Sequence, residues 1–207
     1  MDRERARELR AVLADHPGAL VVEDDHLGPL AGVKLHTVLA GRERWAATRS
    51  VSKALGPDLR LAMLCGDERT VARVQGRQQC GPGWVSHILQ ALVVELWGEE
   101  GVQALLTRAA RTYSERRELL LEQLRARGIA AHGRCGLNVW IEVGEEAAVL
   151  TALLARGFLV AAGAPYRLAD SQPAIRVTIS TLQADESERF ADELASVLAT
   201  SAFSRSG

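Results

Sequence analysis

The feature of this sequence that most constrains its fold is an amphipathic helical pattern that passes directly into a short apolar run ending in acids. Apolar residues at positions 6, 9, 12 and 13 recur among arginine and glutamate, a spacing typical of a helix with one buried face. The segment His-Pro-Gly at 16–18 ends this periodicity, and Leu-Val-Val at 20–22 then precedes three acids at 23–25. A helix followed by a buried strand predicts an α/β protein, in which helices cover a sheet.

The rest of the chain continues this alternation and then changes character. Asp67 is a good N-cap for a helix that runs to about residue 79, and a long helical pattern covers 84–97 and 99–127. Beyond it the elements become short, which predicts a large domain over 1–114, a small C-terminal α+β domain over 115–200 and a flexible tail over 201–207. The further elements predicted are strands near 44–50, 59–65, 137–143, 158–161 and 175–180, and helices over 145–154 and 184–198.

Composition excludes several classes of protein. The 25 lysines and arginines are balanced by 26 acids, so no excess positive charge is present to drive binding to a nucleic acid. Apolar runs fall short of the roughly 20 residues of a membrane span, and the charged N-terminus is unlike a signal peptide, which makes the cytoplasm the expected compartment. The spacing of Cys65, Cys80 and Cys135 fits neither a disulfide framework nor a zinc site, so we expect reduced, mostly buried thiols and no metal.

Ser50 and Lys53 form a Ser-x-x-Lys pair, which in penicillin-recognising enzymes joins a nucleophilic serine to a proton-accepting lysine. The other motifs of those enzymes, Ser-Asp-Asn and Lys-Thr-Gly, are absent from this chain. Gly56 and Pro57 would also interrupt the helix that carries the pair. We therefore set this hypothesis aside.

A second pattern joins more residues. The acids at 23–25 are followed by Arg-Ser-Val-Ser-Lys-Ala-Leu-Gly-Pro-Asp-Leu-Arg at 49–60. Together they resemble fold-type I pyridoxal-phosphate enzymes of the class I/II aminotransferase family, above all the aminotransferase-like domains of MocR-type regulators in the GntR group. The resemblance implies the later part of the large cofactor-binding domain plus the small C-terminal domain, with pyridoxal 5'-phosphate as cofactor.

The resemblance also implies roles for individual residues. Lys53 matches the lysine that forms the Schiff base, because a primary amine condenses with the cofactor aldehyde and can later move a proton at the substrate's α-carbon. Asp24 matches the acid that keeps the pyridine nitrogen protonated. His26 stands where the family usually has a tyrosine facing the cofactor's phenolic oxygen. Without the motif, these would be a solvated loop lysine, a turn acid and a surface imidazole.

Ser50, Ser52 and Arg60 match positions around the cofactor phosphate. Hydroxyl donors and a planar guanidinium suit a dianion, although adjacent hydroxyls also commonly bond to loop backbone, which applies most to Ser52. Arg176, flanked by β-branched residues, is similar to the family's arginine for the substrate α-carboxylate. Strand alternation directs it opposite to those neighbours, and the alternative is an exposed arginine on an edge strand.

Three hypotheses for function follow. The chain is an aminotransferase-like protein acting on an amino acid or other amine, the effector-sensing domain of a MocR-type regulator, or an inactive fragment. Family members place further cofactor contacts, and regulators a DNA-binding winged helix, in segments that do not match these 207 residues. We therefore expect weak cofactor binding, no direct contact with nucleic acid, and a homodimer that uses the segment 84–97.

Overall fold

The structure is a computed structural model that describes the backbone of residues 1–167 and 171–203 and the side chains of these ranges up to residue 200. The chain forms two compact units, Met1–Ala110 and Arg111–Gly207. The division falls inside one long helix, Glu100–Ala126, the element in which the domain boundary was predicted.

The first unit contains three α-helices, one short 3-10 helix and three strands before the long helix. Asp2 and Asp67 cap the first two helices, since their carboxylates accept the backbone N–H groups of Arg5 at 2.8 Å and Thr70 at 3.0 Å. The helix predicted from the apolar positions 6–13 and the helix predicted from Asp67 to about residue 79 are confirmed. The elements are α1 (Arg3–Ala14), β1 (Val21–Asp25), a 3-10 helix (Gly28–Ala31), β2 (Trp45–Ser50), β3 (Ala62–Gly66), α2 (Glu68–Gln79), α3 (His87–Gly98) and then α4 (Glu100–Ala126).

Asp67 does more than cap α2. Its second carboxylate oxygen accepts the backbone N–H of Trp45 at 2.8 Å, so the acid joins the start of β2 to the start of α2. The hydroxyl and backbone N–H of Thr70, the N–H of Trp45 and the charge of Arg44 lower the pKa of Asp67 to about 2.

Arg42 closes the turn after α1. Its guanidinium donates to the carbonyl oxygens of Leu13, His16 and Ala19, each at 2.8 Å, and to that of Pro17 at 3.1 Å. The Leu13 and His16 carbonyls also accept backbone N–H groups, those of His16 at 3.1 Å and Ala19 at 3.2 Å, so Arg42 adds a charged donor to the backbone hydrogen bonds of this turn.

The sheet of the first unit has the order β1-β2-β3. Strands β1 and β2 are parallel, with Asp24 opposite Thr48, whereas β2 and β3 are antiparallel, with Ser50 opposite Ala62. Both β1 and β2 therefore end at the same edge of the sheet. The loop 51–61, which we call the β2–β3 loop, starts and finishes side by side, because the Val51 N–H donates to the Leu61 carbonyl at 3.2 Å.

A small apolar core anchors that loop. Val51, Leu59 and Leu61 are buried together with Val93 of α3. Burial of these residues fixes both ends of the β2–β3 loop and leaves Arg60, between Leu59 and Leu61, exposed.

The second unit is an antiparallel sheet covered by helices. The elements after α4 are β4 (Ala131–His132), β5 (Asn138–Glu142), α5 (Glu146–Ala155), β6 (Ala161–Ala162), a 3-10 helix (Ala164–Tyr166), β7 (Ala174–Thr178) and α6 (Ala184–Phe203). The strands have the order β4-β5-β7-β6, and the core packs the inward side chains of β5 and β7 against α4, α5 and α6. Phe190 and Leu120 are among the largest fully buried side chains.

Two expectations from the sequence differ from the structure. The thiols are free, but Cys65 and Cys80 are exposed and Cys135 is half-buried, so the prediction of mostly buried cysteines is wrong. Cys65 lies on β3, most of whose side chains are exposed, and Cys80 ends α2, a helix with no buried residue. Helix α6 continues to Phe203, into the predicted tail, whose last residues, 204–207, lie outside the described residues.

Candidate functional site

The acids that end β1 have separate tasks. Glu23 accepts the backbone N–H of Val38 at 2.6 Å, which ties the connection between β1 and β2 to the strand. Asp25 accepts the N–H of Gly28 at 2.8 Å and pairs with Arg49 Nε at 3.0 Å. Both carboxylates thus hold the local backbone or the neighbouring strand.

The carboxylate of Asp24, the acid between them, is bonded by two side chains and by no backbone group of the described residues. The Thr48 hydroxyl donates to its Oδ1 at 2.6 Å, and His26 Nε2 lies 2.9 Å from its Oδ2. The side chains of Asp24 and His26 are 55% and 65% exposed. Asp24 is therefore oriented by its neighbours and still accessible to a ligand at the edge where β1 and β2 end.

Lys53 lies in the turn that follows β2 at this same edge. Its side chain is exposed, and its ammonium has no hydrogen bond or ion pair to any residue that the structure describes. An accessible amine without a competing carboxylate is free to react once deprotonated.

The predicted phosphate-binding residues lie on the same β2–β3 loop. Arg60 is exposed between the buried Leu59 and Leu61, which directs its guanidinium away from the core. Ser50 Oγ accepts the N–H of Ser52 at 3.2 Å, which leaves its hydroxyl proton for another acceptor. Ser52 Oγ donates to the Leu59 carbonyl at 3.1 Å, so its proton is already used within the loop. Ser50 and Arg60 are accordingly better placed than Ser52 to donate to an anion.

Arg176 lies in the second unit, on β7. Ile175 and Val177 are buried in the core, so Arg176 faces the other side of the sheet, as strand alternation predicted. Strand β7 lies between β5 and β6, which makes the alternative of an edge-strand arginine wrong. The guanidinium carbon is 4.5 Å from the centroid of the Tyr166 ring, and its buried Nε has no hydrogen-bond partner within the described ranges.

Thr48 and Tyr166 are the contacts that sequence reasoning missed. Thr48 bonds Asp24 because the parallel register of β1 and β2 sets the two residues opposite each other. Tyr166 reaches Arg176 from a 3-10 helix ten residues earlier in the chain. A strand-register prediction could have indicated Thr48, whereas nothing in the local sequence indicates the Tyr166 contact.

The residues of the first unit fit the chemistry of pyridoxal 5'-phosphate. An unpaired amine, an accessible carboxylate, a free hydroxyl proton and an exposed guanidinium occur at the ends of β1 and β2 and in the loop that follows. These are the groups needed for an aldehyde, a pyridine nitrogen and a phosphate.

Comparison with known proteins supports this assignment of class. The sequence profile of the family described as aminotransferase class I and II matches residues 1–194. The chain belongs to this family, and the fold is that of the fold-type I aminotransferases, as predicted.

A transcriptional repressor is among the relatives of this chain in sequence. The chain is 34% identical over 196 residues to the vitamin B6 salvage pathway transcriptional repressor PtsJ of Salmonella typhimurium, a match that covers 94% of this chain and 46% of that protein. This similarity agrees with the predicted resemblance to transcriptional regulators.

Two solved enzymes share the fold. The α-aminoadipate aminotransferase LysN of Thermus thermophilus, complexed with N-(5'-phosphopyridoxyl)-L-leucine, has 21% identity and a TM-score of 0.79, over 94% of this chain and 54% of that one. Kynurenine aminotransferase of Pyrococcus horikoshii, in complex with PMP, has 18% identity and a TM-score of 0.83, over 97% and 52%. The chain thus spans about half the length of the relatives it matches.

One further observation concerns membranes. Among the helices of the described residues, none has the length and apolar character required to cross a bilayer.

Proposed function

We propose that this chain binds pyridoxal 5'-phosphate covalently through Lys53 and uses it to act on an amino acid or other amine. The observation that carries the proposal is the exposed Lys53 in the turn after β2, whose ammonium is unpaired among the described residues. The parallel strand β1, which ends at the same edge of the sheet, carries Asp24. Membership of the class I and II aminotransferase family supports the same chemistry.

Each residue then has a defined task. When bound, the cofactor supplies an aldehyde that bonds to amines and a ring that accepts electrons from the substrate's α-carbon. Lys53 Nζ anchors it and moves a proton at that carbon, while Asp24 keeps the ring nitrogen protonated. Ser50 and Arg60 donate hydrogen bonds to the phosphate. Ser52 also donates to it once its hydroxyl gives up the hydrogen bond to the Leu59 carbonyl.

The substrate end of the proposal rests on the second unit. Arg176 binds the α-carboxylate of an amino acid through its guanidinium, which the Tyr166 ring supports from one side with its centroid 4.5 Å from the guanidinium carbon. An amine without a carboxylate would not use this contact.

The decisive experiment uses an unusual feature of the composition. The chain has only two lysines, Lys34 and Lys53, and both are exposed. Borohydride reduction after incubation with pyridoxal 5'-phosphate, followed by peptide mapping, should label Lys53 in the unaltered chain and in a Lys34→Arg control. Labelling should be lost in Lys53→Arg, which keeps the charge but removes the primary amine. Label on Lys34 or on the N-terminal amine, with Lys53 unmodified, would refute the assignment.

A second candidate function is sensing rather than turnover. The 34% identity to a transcriptional repressor of vitamin B6 salvage favours a domain that reports cofactor or amine levels. With the cofactor bound and a second 2-oxo acid supplied to accept the amino group, an enzyme converts an amino acid into its 2-oxo acid over many cycles. In a sensor, adding an amine changes the absorbance of the cofactor, but the 2-oxo acid is not produced repeatedly. Quantifying the 2-oxo acid per chain therefore separates the two functions.

We also propose that the chain forms a homodimer in the cytoplasm through the segment 84–97. Trp84, Ile88 and Val94 are 74%, 81% and 72% exposed, a concentration of large apolar side chains that favours association. Light scattering should give a dimer mass for the unaltered chain and a smaller mass for Ile88→Asp. A monomer at micromolar concentration in the unaltered chain would contradict this.

A further inference from the structure

Both carboxylate oxygens of Asp24 are already occupied within the chain. Thr48 donates to Oδ1 at 2.6 Å, and the imidazole of His26 contacts Oδ2 through Nε2 at 2.9 Å. A pyridine nitrogen that approaches Asp24 must therefore share an oxygen or replace one of these two partners.

The two partners are not equally easy to displace. Thr48 is held opposite Asp24 by the register of β1 and β2, so its hydroxyl stays beside Oδ1 as long as the sheet is intact. His26 lies one residue beyond the end of β1, its side chain is mostly exposed, and Asp24 is the sole partner recorded for its ring among the described residues. Rotation of the imidazole into solvent therefore breaks no other hydrogen bond or ion pair to these residues.

We propose that His26 is an internal competitor for the cofactor: it occupies Oδ2 of Asp24 in the free chain and leaves when the ring nitrogen binds. This inference rests on the proposed function and assigns His26 a task different from contact with the phenolic oxygen. The contact between Asp24 and the ring nitrogen is formed at the expense of the contact between Asp24 and His26. The loss of the His26 contact therefore raises the cofactor concentration needed to fill the site.

If His26 competes with the cofactor, its removal should strengthen cofactor binding, whereas removing a residue that contacts the cofactor directly should weaken it. Removing His26 frees Oδ2 in advance, so His26→Ala should bind pyridoxal 5'-phosphate about two- to fivefold more tightly, the range expected for a solvent-exposed ion pair. The gain requires Asp24 and should vanish in an Asp24→Ala background. A residue that merely supported the local fold would weaken binding when removed.

The experiment is a double-mutant cycle on the full 207-residue chain. Dissociation constants for pyridoxal 5'-phosphate are measured by absorbance for the unaltered chain, His26→Ala, Asp24→Ala and the double variant. His16→Ala, which removes another exposed histidine, serves as the control and should leave binding unchanged. Weaker or unchanged binding in His26→Ala, or tightening that persists without Asp24, would overturn the proposal.

A second readout does not depend on affinity. The ring resonances of His26 in an NMR spectrum should shift on Asp24→Ala and shift in the same direction when the unaltered chain is loaded with cofactor. Resonances that move on Asp24→Ala but stay in place on loading would overturn the exchange. Failure of every variant and of the unaltered chain to bind the cofactor would instead overturn the proposed function, and this inference with it.

Discussion

Replacing Phe190 by alanine should destabilise the second unit more than most single changes in this chain. The side chain is 1% exposed on α6 and packs edge-to-face on Phe158, with ring centroids 5.3 Å apart and planes at 78°. Phe-to-Ala changes in a packed core cost about 3–5 kcal/mol, within which an edge-to-face pair accounts for roughly 0.5–1.5 kcal/mol. A domain of about 100 residues loses at least roughly 4 °C of Tm per kcal/mol, so we expect a fall of about 12 °C or more.

The measurement is urea and thermal unfolding of the unaltered chain, Phe190→Ala and Phe190→Leu, followed by far-UV circular dichroism. Leucine keeps most of the buried apolar volume and loses the aromatic pair, so its expected loss is about 1.5 kcal/mol or less. The comparison separates the contribution of the ring pair from that of filling the cavity.

Two outcomes would refute the packing argument. A loss below about 1.5 kcal/mol for Phe190→Ala would mean that the core closes over the vacated volume, because complete collapse leaves only the transfer contribution. A loss for Phe190→Leu as large as that for Phe190→Ala would mean that the ring pair, and not the filled volume, holds α6 in place.

Three further predictions concern the first unit. Arg60→Ala should raise the dissociation constant for pyridoxal 5'-phosphate about 10- to 150-fold, since a charged hydrogen bond contributes about 1.5–3 kcal/mol; equilibrium titration measures it, and an unchanged constant would exclude Arg60 from the phosphate site. The folded-state pKa of Asp67, about 2, lies below its ordinary value of 3.8, so its stabilisation is complete above about pH 4 and is lost as pH falls through 2. The stability difference between the unaltered chain and Asp67→Asn, measured by urea unfolding, should therefore narrow from about pH 4 to about pH 2, and a constant difference would contradict the shift. Arg42→Ala should cost about 1–3 kcal/mol, because four carbonyls at the end of α1 and in the turn after it lose a charged donor; chemical unfolding with Arg10→Ala as control tests it, and equal losses in both variants would argue against a special role for Arg42.

The helices were predictable because their signals are local. Asp2 and Asp67 stand directly before apolar periodic segments, and both accept backbone N–H groups there. Where the signal was less direct, the bounds shifted: the helix expected from residue 84 begins at His87, after Ser86, whose hydroxyl oxygen accepts the Leu89 N–H at 3.4 Å. Strands of two residues, such as β4, contain too little alternation to be detected.

Exposure was harder to predict than secondary structure. Cys65 and Cys80 were expected inside because free cysteine is commonly buried, yet exposure depends on what covers an element and not on the residue type. Strand β3 alternates weakly, so its sequence does not reveal that both of its faces are largely exposed. The same limit explains the Tyr166 contact, which depends on where a 3-10 helix lies over β7.

The candidate site depends on one structural relation, the parallel register of β1 with β2. A slip of one residue would turn the side chains of β1 to the other face, and a slip of two would restore the faces but remove Thr48 from Asp24. The present register is the one in which Asp24 lies opposite Thr48 and Asp25 lies opposite Arg49, so that both pairs form together. The Asp25–Arg49 ion pair therefore supports the orientation of Asp24 without touching it. We therefore expect Asp24→Ala to raise the dissociation constant for the cofactor by a smaller factor in an Arg49→Met background than in the unaltered chain. The same factor in both backgrounds would show that the sheet holds its register without Arg49.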